Sequence, residues 1–400
     1  MKRLFIFSLL ALSFFACKNV EKEEQNYLII LSMDGMRWDY PDLYATPTLD
    51  TIENIGVRAA IQPSFPTKTF PNHYTMATGL YPSNSGLVAN VFYNPELDRV
   101  YRISDRSTVE DPRFYKGEPF WVSAELQGLR SASYFWVGSE TKIKGVQPSI
   151  WKKYDGSVKP IQMVDSVISW LQRPEAERPH LISFYFYEPD MVGHHFGPLS
   201  AETKAKVEQL DSVLAYFYAE LKTLDIADKI NVMITSDHGM GAISEDKKVI
   251  LSDYLDDDDL EYCLGSNPHY LVQPKAEKYE KVYSQLKAVE GITVWKKDEV
   301  PERLHYSANP SIADLIVTAD SAWSVYDKAR ESYGKGTHGY DNANEDMQAI
   351  FYAFGPAFKS GYKQAVFPNV DLYPLMMEVL DLEAAEMDGQ LERVKGMLKE

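Results

Sequence analysis

Six side chains with oxygen or nitrogen donors stand at the ends of apolar runs or inside glycine-containing loops. Asp34 closes the run Tyr27–Met33 (YLIILSM). Asp190 and His194 are four apart after residues 181–187 (LISFYFY), with Gly193 between them expected to let the backbone turn tightly. Asp237 and His238 follow residues 230–236 (INVMITS), and His338 lies in the loop GKGTHGYDN. Neighbours on a regular strand point to opposite faces, so the turn at Gly239 is needed to aim Asp237 and His238 at one point. Carboxylate and imidazole donors suit zinc, and three protein ligands leave a coordination position open for catalysis. Singly, each residue has an ordinary structural explanation, a satisfied core histidine or an aspartate capping a helix. Their common placement at predicted strand ends points to metal.

The second chemical element is residues 66–74 (PTKTFPNHY), which contain Thr69. A hydroxyl is a poor nucleophile at its free pKa and needs a base or a metal. No GxSxG elbow occurs, which favours a metal as activator. The competing explanation is a proline-bounded loop entering a helix, with a threonine as its N-cap, and composition alone leaves the two even.

These residues must be carried by a scaffold. The runs at 27–33, 181–187, 230–236 and 349–354 are continuously apolar, as expected for buried strands of a mostly parallel sheet. Residues 203–224 place Val207, Leu210, Val213, Leu214, Phe217 and Leu221 on one helical stripe. Such alternation predicts an α/β fold with helices on both faces of a mostly parallel central sheet, and ligands beyond the carboxyl ends of the strands. Residues of about 245–320 differ, with short strand-like pieces (HYLVQP, ITVWKK, ADLIVTA) and a helix near 277–289. They predict a small inserted α+β subdomain. Its acidic run 256–259 is expected to be a solvated loop rather than a cation site.

The formal net charge is -17, with 45% hydrophobic residues, which excludes binding along a nucleic-acid backbone and permits a substantial core. An anionic substrate then requires local positive charge, such as bound metal. Lys2 and Arg3, the apolar run 4–15, and Ala16-Cys17 predict a lipoprotein-type signal peptide over residues 1–16 and a lipid on Cys17. A polar linker at 17–26 then precedes the catalytic unit 27–400. Phe14 and Phe15 depart from the usual lipoprotein pattern, and a plain signal peptide is the alternative. Cys263 is the other cysteine of the two in the chain, so no structural disulfide is expected after processing.

Taken together, LSMDGM, PTKTFPNHYTMATGLYP, FYFYEPDMVGHHFGP, ITSDHGM and GTHGYDN resemble the nucleotide pyrophosphatase/phosphodiesterase family of the alkaline-phosphatase superfamily, collinearly and in its compact bacterial form. The resemblance implies an alkaline-phosphatase-like fold and two zinc ions. It implies Thr69 as nucleophile, with Asp34, Asp237 and His238 holding one ion beside it and Asp190, His194 and His338 holding the other. Asn90 matches the donor to a non-bridging phosphate oxygen. Phe70, Tyr154 and Tyr185 match positions lining the substrate pocket. His195 is expected to be a bystander and His73 a structural hydrogen-bonder. In-line attack by Thr69 would give a phospho-enzyme ester, with positioning and charge neutralisation supplying the catalysis.

The substrate expected is a small phosphodiester, nucleotides ahead of choline-type lipid head groups. A phosphomonoesterase is less expected, since the nucleophile segment has no arginine and Lys68 is its nearest cation. A sulfatase is disfavoured because Lys68 replaces the arginine of the signature that Ser64 would open. A non-catalytic zinc-binding surface lipoprotein is disfavoured because every ligand position is filled. The expected location is a bacterial periplasm or outer membrane, with membrane contact only through Cys17.

Overall fold

The computed structural model describes residues 26–400. The expected signal peptide, Cys17 and nearly all of the expected linker lie outside the described residues. Among those residues no helix is long and apolar enough to cross a membrane.

The strand Tyr27–Met33 is central because both of its faces are apolar. Leu28 and Ile30 enter the core on one side of the sheet, and Ile29 and Leu31 the core on the other. It pairs in parallel with Leu181–Phe186 on one edge and Ile230–Thr235 on the other. The sheet extends through Ser131–Tyr134 to Ile150–Lys152, again in parallel. On the opposite side it continues through Ala349–Phe354 to Val57–Gln62. The run at 349–354 is therefore a strand, but antiparallel to both neighbours. The chain reaches it from the His338 loop, at the carboxyl pole of the other strands, so it must run back down the sheet.

The long helix Ala201–Leu221 buries Val207, Leu210, Leu214, Phe217 and Leu221, while Val213 is half-buried. A second helix, Thr69–Thr78, is buried from Pro71 to Thr78 and ends at Gly79 in the left-handed conformation. Thr69 is its first residue. The position before it is Lys68, which makes no side-chain cap, so threonine is not the N-cap of this helix.

Residues between Leu260 and Ala319 build a four-stranded antiparallel sheet in the order Leu260–Ser266, His269–Pro274, Leu315–Ala319, Ile292–Lys296. Strand alternation divides its side chains between two cores. Tyr270, Val272, Leu315 and Val317 pack with Val282 and Leu286 of the helix Tyr279–Lys287. Leu271 and Ile316 belong instead to the core beneath the helix Thr69–Thr78. The second sheet thus shares that core with the first.

Candidate active site

Three turns at the carboxyl pole of the central sheet are laced together by the backbone. The amide of Asp34 donates to the carbonyl of Phe186 at 2.9 Å, and that of Asp190 to the carbonyl of Asp34 at 2.9 Å. Gly35 makes this approach possible. Its φ is +68°, and a Cβ there would lie 2.9 Å from Cα of Asp190. Its amide donates to Oδ1 of Asp237 at 3.3 Å, which joins the third turn. His338 arrives through Gly336–Thr337, paired with Gly241–Ala242 just beyond His238.

Asp190 and His194 lie on a short helix, Asp190–Phe196, so their spacing is one helical turn rather than a tight bend. Gly193 serves close packing instead, with Met240 3.3 Å from where its Cβ would be.

The donors converge. Nε2 of His238 is 3.0 Å from Oδ2 of Asp237 and 3.4 Å from Oδ1 of Asp34. Oδ1 of Asp190 is 3.4 Å from Nε2 of His194 and 3.5 Å from Nε2 of His338. Asp34, Asp237 and His238 form one tight triplet, and Asp190, His238 and His338 another. His238 therefore stands at the junction, with its ring stacked on His338 at 3.5 Å. His194 borders the second triplet through Asp190.

These residues fit a divalent metal. Oδ1 of Asp34, Oδ1 of Asp190 and Oδ2 of Asp237 are buried and accept no hydrogen bond. Leaving a charged oxygen so is costly unless a cation meets it. A tetrahedral zinc shell with bonds of about 2.0–2.2 Å spaces its donors roughly 3.3–3.6 Å apart; the separations of 3.4–3.5 Å fall in that range and the 3.0 Å between His238 and Asp237 is somewhat shorter. Each imidazole is also oriented by a carbonyl. Nδ1 of His194 faces the carbonyl of Gly336, that of His238 the carbonyl of Gly239, and that of His338 the carbonyl of Thr67, all at 2.8 Å. Carbonyls only accept, so each Nδ1 carries a proton and Nε2 is the nitrogen left to face a cation.

The electrostatics agree. Burial, then the charges of Asp237 and Asp190, raise the Asp34 carboxyl well above its ordinary range. Burial opposes charge on Asp237 too, yet His238 and His73 hold it well below. Burial, with His238, Lys68 and His194 nearby, keeps the His338 imidazole neutral.

Thr69 faces this cluster, with Oγ1 3.2 Å from Nε2 of His238. Oδ1 of Asn90 accepts from the amide of Phe70 at 3.1 Å. That bond fixes the amide's orientation and leaves its NH₂ as the free donor.

The sequence model of the type I phosphodiesterase / nucleotide pyrophosphatase family matches residues 28–341. The chain belongs to this family. Human ectonucleotide pyrophosphatase/phosphodiesterase family member 5 is 35% identical over 98% of the chain and 82% of its own length. A venom phosphodiesterase of Crotalus durissus collilineatus is 36% identical over 94% of the chain, which spans 47% of that relative. The chain thus covers about half of such longer relatives. The structure of murine member 5 superposes with a TM-score of 0.90 at 32% identity, covering 93% of this chain and 100% of that one. The same protein is also solved as an inactive threonine-to-alanine variant in complex with AMP. The alkaline-phosphatase-like α/β fold expected from the motifs is the fold found.

Within this family member the remaining positions separate. Phe70 is half-buried, and Tyr154 is 44% exposed with its ring against Phe135 at 5.1 Å. Tyr185 donates its hydroxyl to Oδ2 of Asp34. His195 is exposed against Phe196. His73 is buried, with Nε2 2.8 Å from Oγ of Ser32 and Nδ1 3.0 Å from the carbonyl of Thr69. The carbonyls of Thr67, Gly239 and Gly336 orient the histidines, yet a backbone acceptor leaves no mark in residue type.

Proposed function

We propose that this chain hydrolyses phosphodiester or pyrophosphate bonds of nucleotides with two zinc ions and Thr69 as nucleophile. One observation carries the reading: three buried carboxylate oxygens without hydrogen bonds, Oδ1 of Asp34, Oδ1 of Asp190 and Oδ2 of Asp237, gathered beside a threonine hydroxyl. Asp34, Asp237 and His238 would hold the ion nearer Thr69, and Asp190, His194 and His338 the other. When bound, such ions polarise phosphoryl oxygens and lower the pKa of hydroxyl groups.

The chain's own groups define the rest. Oγ1 of Thr69 gives up its proton to the departing ester oxygen and bonds to phosphorus, leaving a threonine-linked phosphate ester that still carries the nucleotide, which water later cleaves to a nucleoside monophosphate and the free Thr69 hydroxyl. The NH₂ of Asn90 donates to a non-bridging oxygen, where charge develops. The three imidazoles cannot rotate away while their Nδ1 protons are held by carbonyls. Phe70 and Tyr154 flank the approach as faces for a base.

A diester is favoured over a monoester because the ammonium of Lys68 is already bonded to two carbonyls. The AMP bound by murine member 5 supports a nucleotide over a choline-type head group. Zinc-loaded wild type and Thr69→Ala should be compared on bis- and mono-p-nitrophenyl phosphate, ATP, a dinucleotide polyphosphate and glycerophosphocholine. Diester and nucleotide turnover lost in the variant is the expected result. Faster monoester cleavage, or full activity of the variant, refutes the reading. For the full-length protein we propose export, with a lipid on Cys17 as the only membrane attachment.

A further inference from the structure

Lys68 precedes the nucleophile, the position from which a lysine would be expected to reach phosphate. Its side chain turns the other way. Lys68 is 4% exposed. Its Nζ donates to the carbonyl of Asn267 at 2.6 Å and to that of His338 at 2.8 Å. Its stem crosses Gly339 so closely that a Cβ there would lie 2.5 Å from Cε of Lys68.

The surrounding bonds share one pattern. Thr67 binds the same loop from the other side: its carbonyl faces Nδ1 of His338 at 2.8 Å, and its hydroxyl oxygen accepts from the amide of Gly339 at 2.8 Å. Asn267, between strands Leu260–Ser266 and His269–Pro274 of the second sheet, also accepts from Oγ1 of Thr337 at 3.2 Å. Its own side chain is anchored, with Oδ1 accepting from the amide of Val325 at 2.9 Å. Three segments far apart in sequence therefore meet at one ammonium: the segment entering the helix that begins at Thr69, the His338 loop and the turn of the second sheet.

We propose that Lys68 is a positioning residue that pins the His338 loop and the Asn267 turn around Thr69, holding Nε2 of His338 in register with Asp190 and His238, and that it does not contact substrate. The proposal rests on the metal reading given above. An ammonium has three donors and no acceptor. Two of them are held here by carbonyls, and the buried stem keeps the group behind the loop rather than in front of it. Its consequence is that the second sheet, which contributes no candidate ligand, is still needed to shape the metal centre.

The test uses the whole chain with Lys68→Met, which keeps the stem and removes the donors. Zinc affinity is read by chelator competition, alongside kcat and KM on bis-p-nitrophenyl phosphate. Zinc affinity is expected to fall about 10- to 100-fold, the usual effect of losing a group that orients a ligand, and kcat with it, while KM stays within about twofold. A KM raised tenfold with zinc affinity unchanged overturns the proposal, since Lys68 would then be binding substrate. Should Lys68→Met fail to fold, Asn267→Ala loosens the same carbonyl from a distance. It is expected to weaken zinc about two- to fivefold, and unchanged affinity in that variant also overturns the proposal. A wild-type protein that binds no zinc removes the functional reading and this one together, whereas equal binding by wild type and both variants removes this one alone.

Discussion

Asp256 to Asp259 stand side by side in the sequence, whereas Asp34, Asp190 and Asp237 are scattered over some two hundred residues. The sequence reads the first group as a solvated loop and the second as metal ligands, and their bonding differs accordingly. Oδ1 of Asp256 accepts from the amide of Asp258 at 2.9 Å, and Asp257 pairs with Lys328 at 3.1 Å. Asp259 is buried but meets Lys278 and Lys281. The scattered three each keep a buried oxygen with no hydrogen bond. Asp211 makes the same point from a third place, because its two oxygens accept the amides of Thr48 and Leu49 at 3.0 Å each. Burial alone therefore does not mark a functional carboxylate; burial with lone pairs unmet does.

That contrast can be tested to destruction. The largest expected effect is on catalysis: a chelator should abolish diester hydrolysis and added zinc should restore it, and Asp237→Asn should lower kcat/KM by roughly a thousandfold. Survival of most activity in either case erases the distinction between the two groups. Next, Tyr185→Phe removes the hydroxyl that orients Asp34 and should weaken zinc about tenfold, as read by chelator competition.

Stability should separate the groups by sign. In metal-free protein the raised pKa of Asp34 means that the folded state binds a proton the unfolded chain releases. Stability then falls as pH rises from the ordinary value of about 3.9 towards the raised one. Asp34→Asn should therefore raise the apo melting temperature near neutral pH by roughly a few degrees. Asp259 is the opposite case. The hydrogen bonds from Lys281 and Lys278 lower its carboxyl, so its contribution is present above about 3.9 and is lost as pH falls through the lowered folded value. Asp259→Asn should lower the melting temperature slightly at pH 7, with the difference from wild type vanishing under acid. The smallest effect is on turnover: Asp259→Asn should leave kcat/KM within about twofold, since Asp259 belongs to neither donor triplet and is met by lysines instead. Parallel melting curves with shifts of the same sign would show that the two groups do not differ.

What could be read in the sequence follows the same physics. Continuous apolar runs announce strands buried on both faces, so the strands bearing Asp34, Asp190 and Asp237 were legible. Edge strands such as Ile150–Lys152 bury little and leave no such run. The reversed direction of Ala349–Phe354 depends on where the chain comes from, which periodicity does not encode. Ligand types and motif order pointed to the metal cluster, but not to His238 as the shared corner. The ties of Tyr185 and Lys68 were hidden because residue type alone names no partner, and only three-dimensional placement shows a hydroxyl on Asp34 or an ammonium on two carbonyls.

The strand Tyr27–Met33 has one more consequence, for handling the molecule. It enters the sheet at Tyr27 and delivers Asp34 just past its far end, seven residues later, a length of about 23 Å. Anything fused ahead of Asn26, whether an affinity handle, a bead or a surface tether, joins the pole opposite the mouth. Immobilised by that end, the molecule would turn the pole that carries Asp34 towards the solution and away from the support.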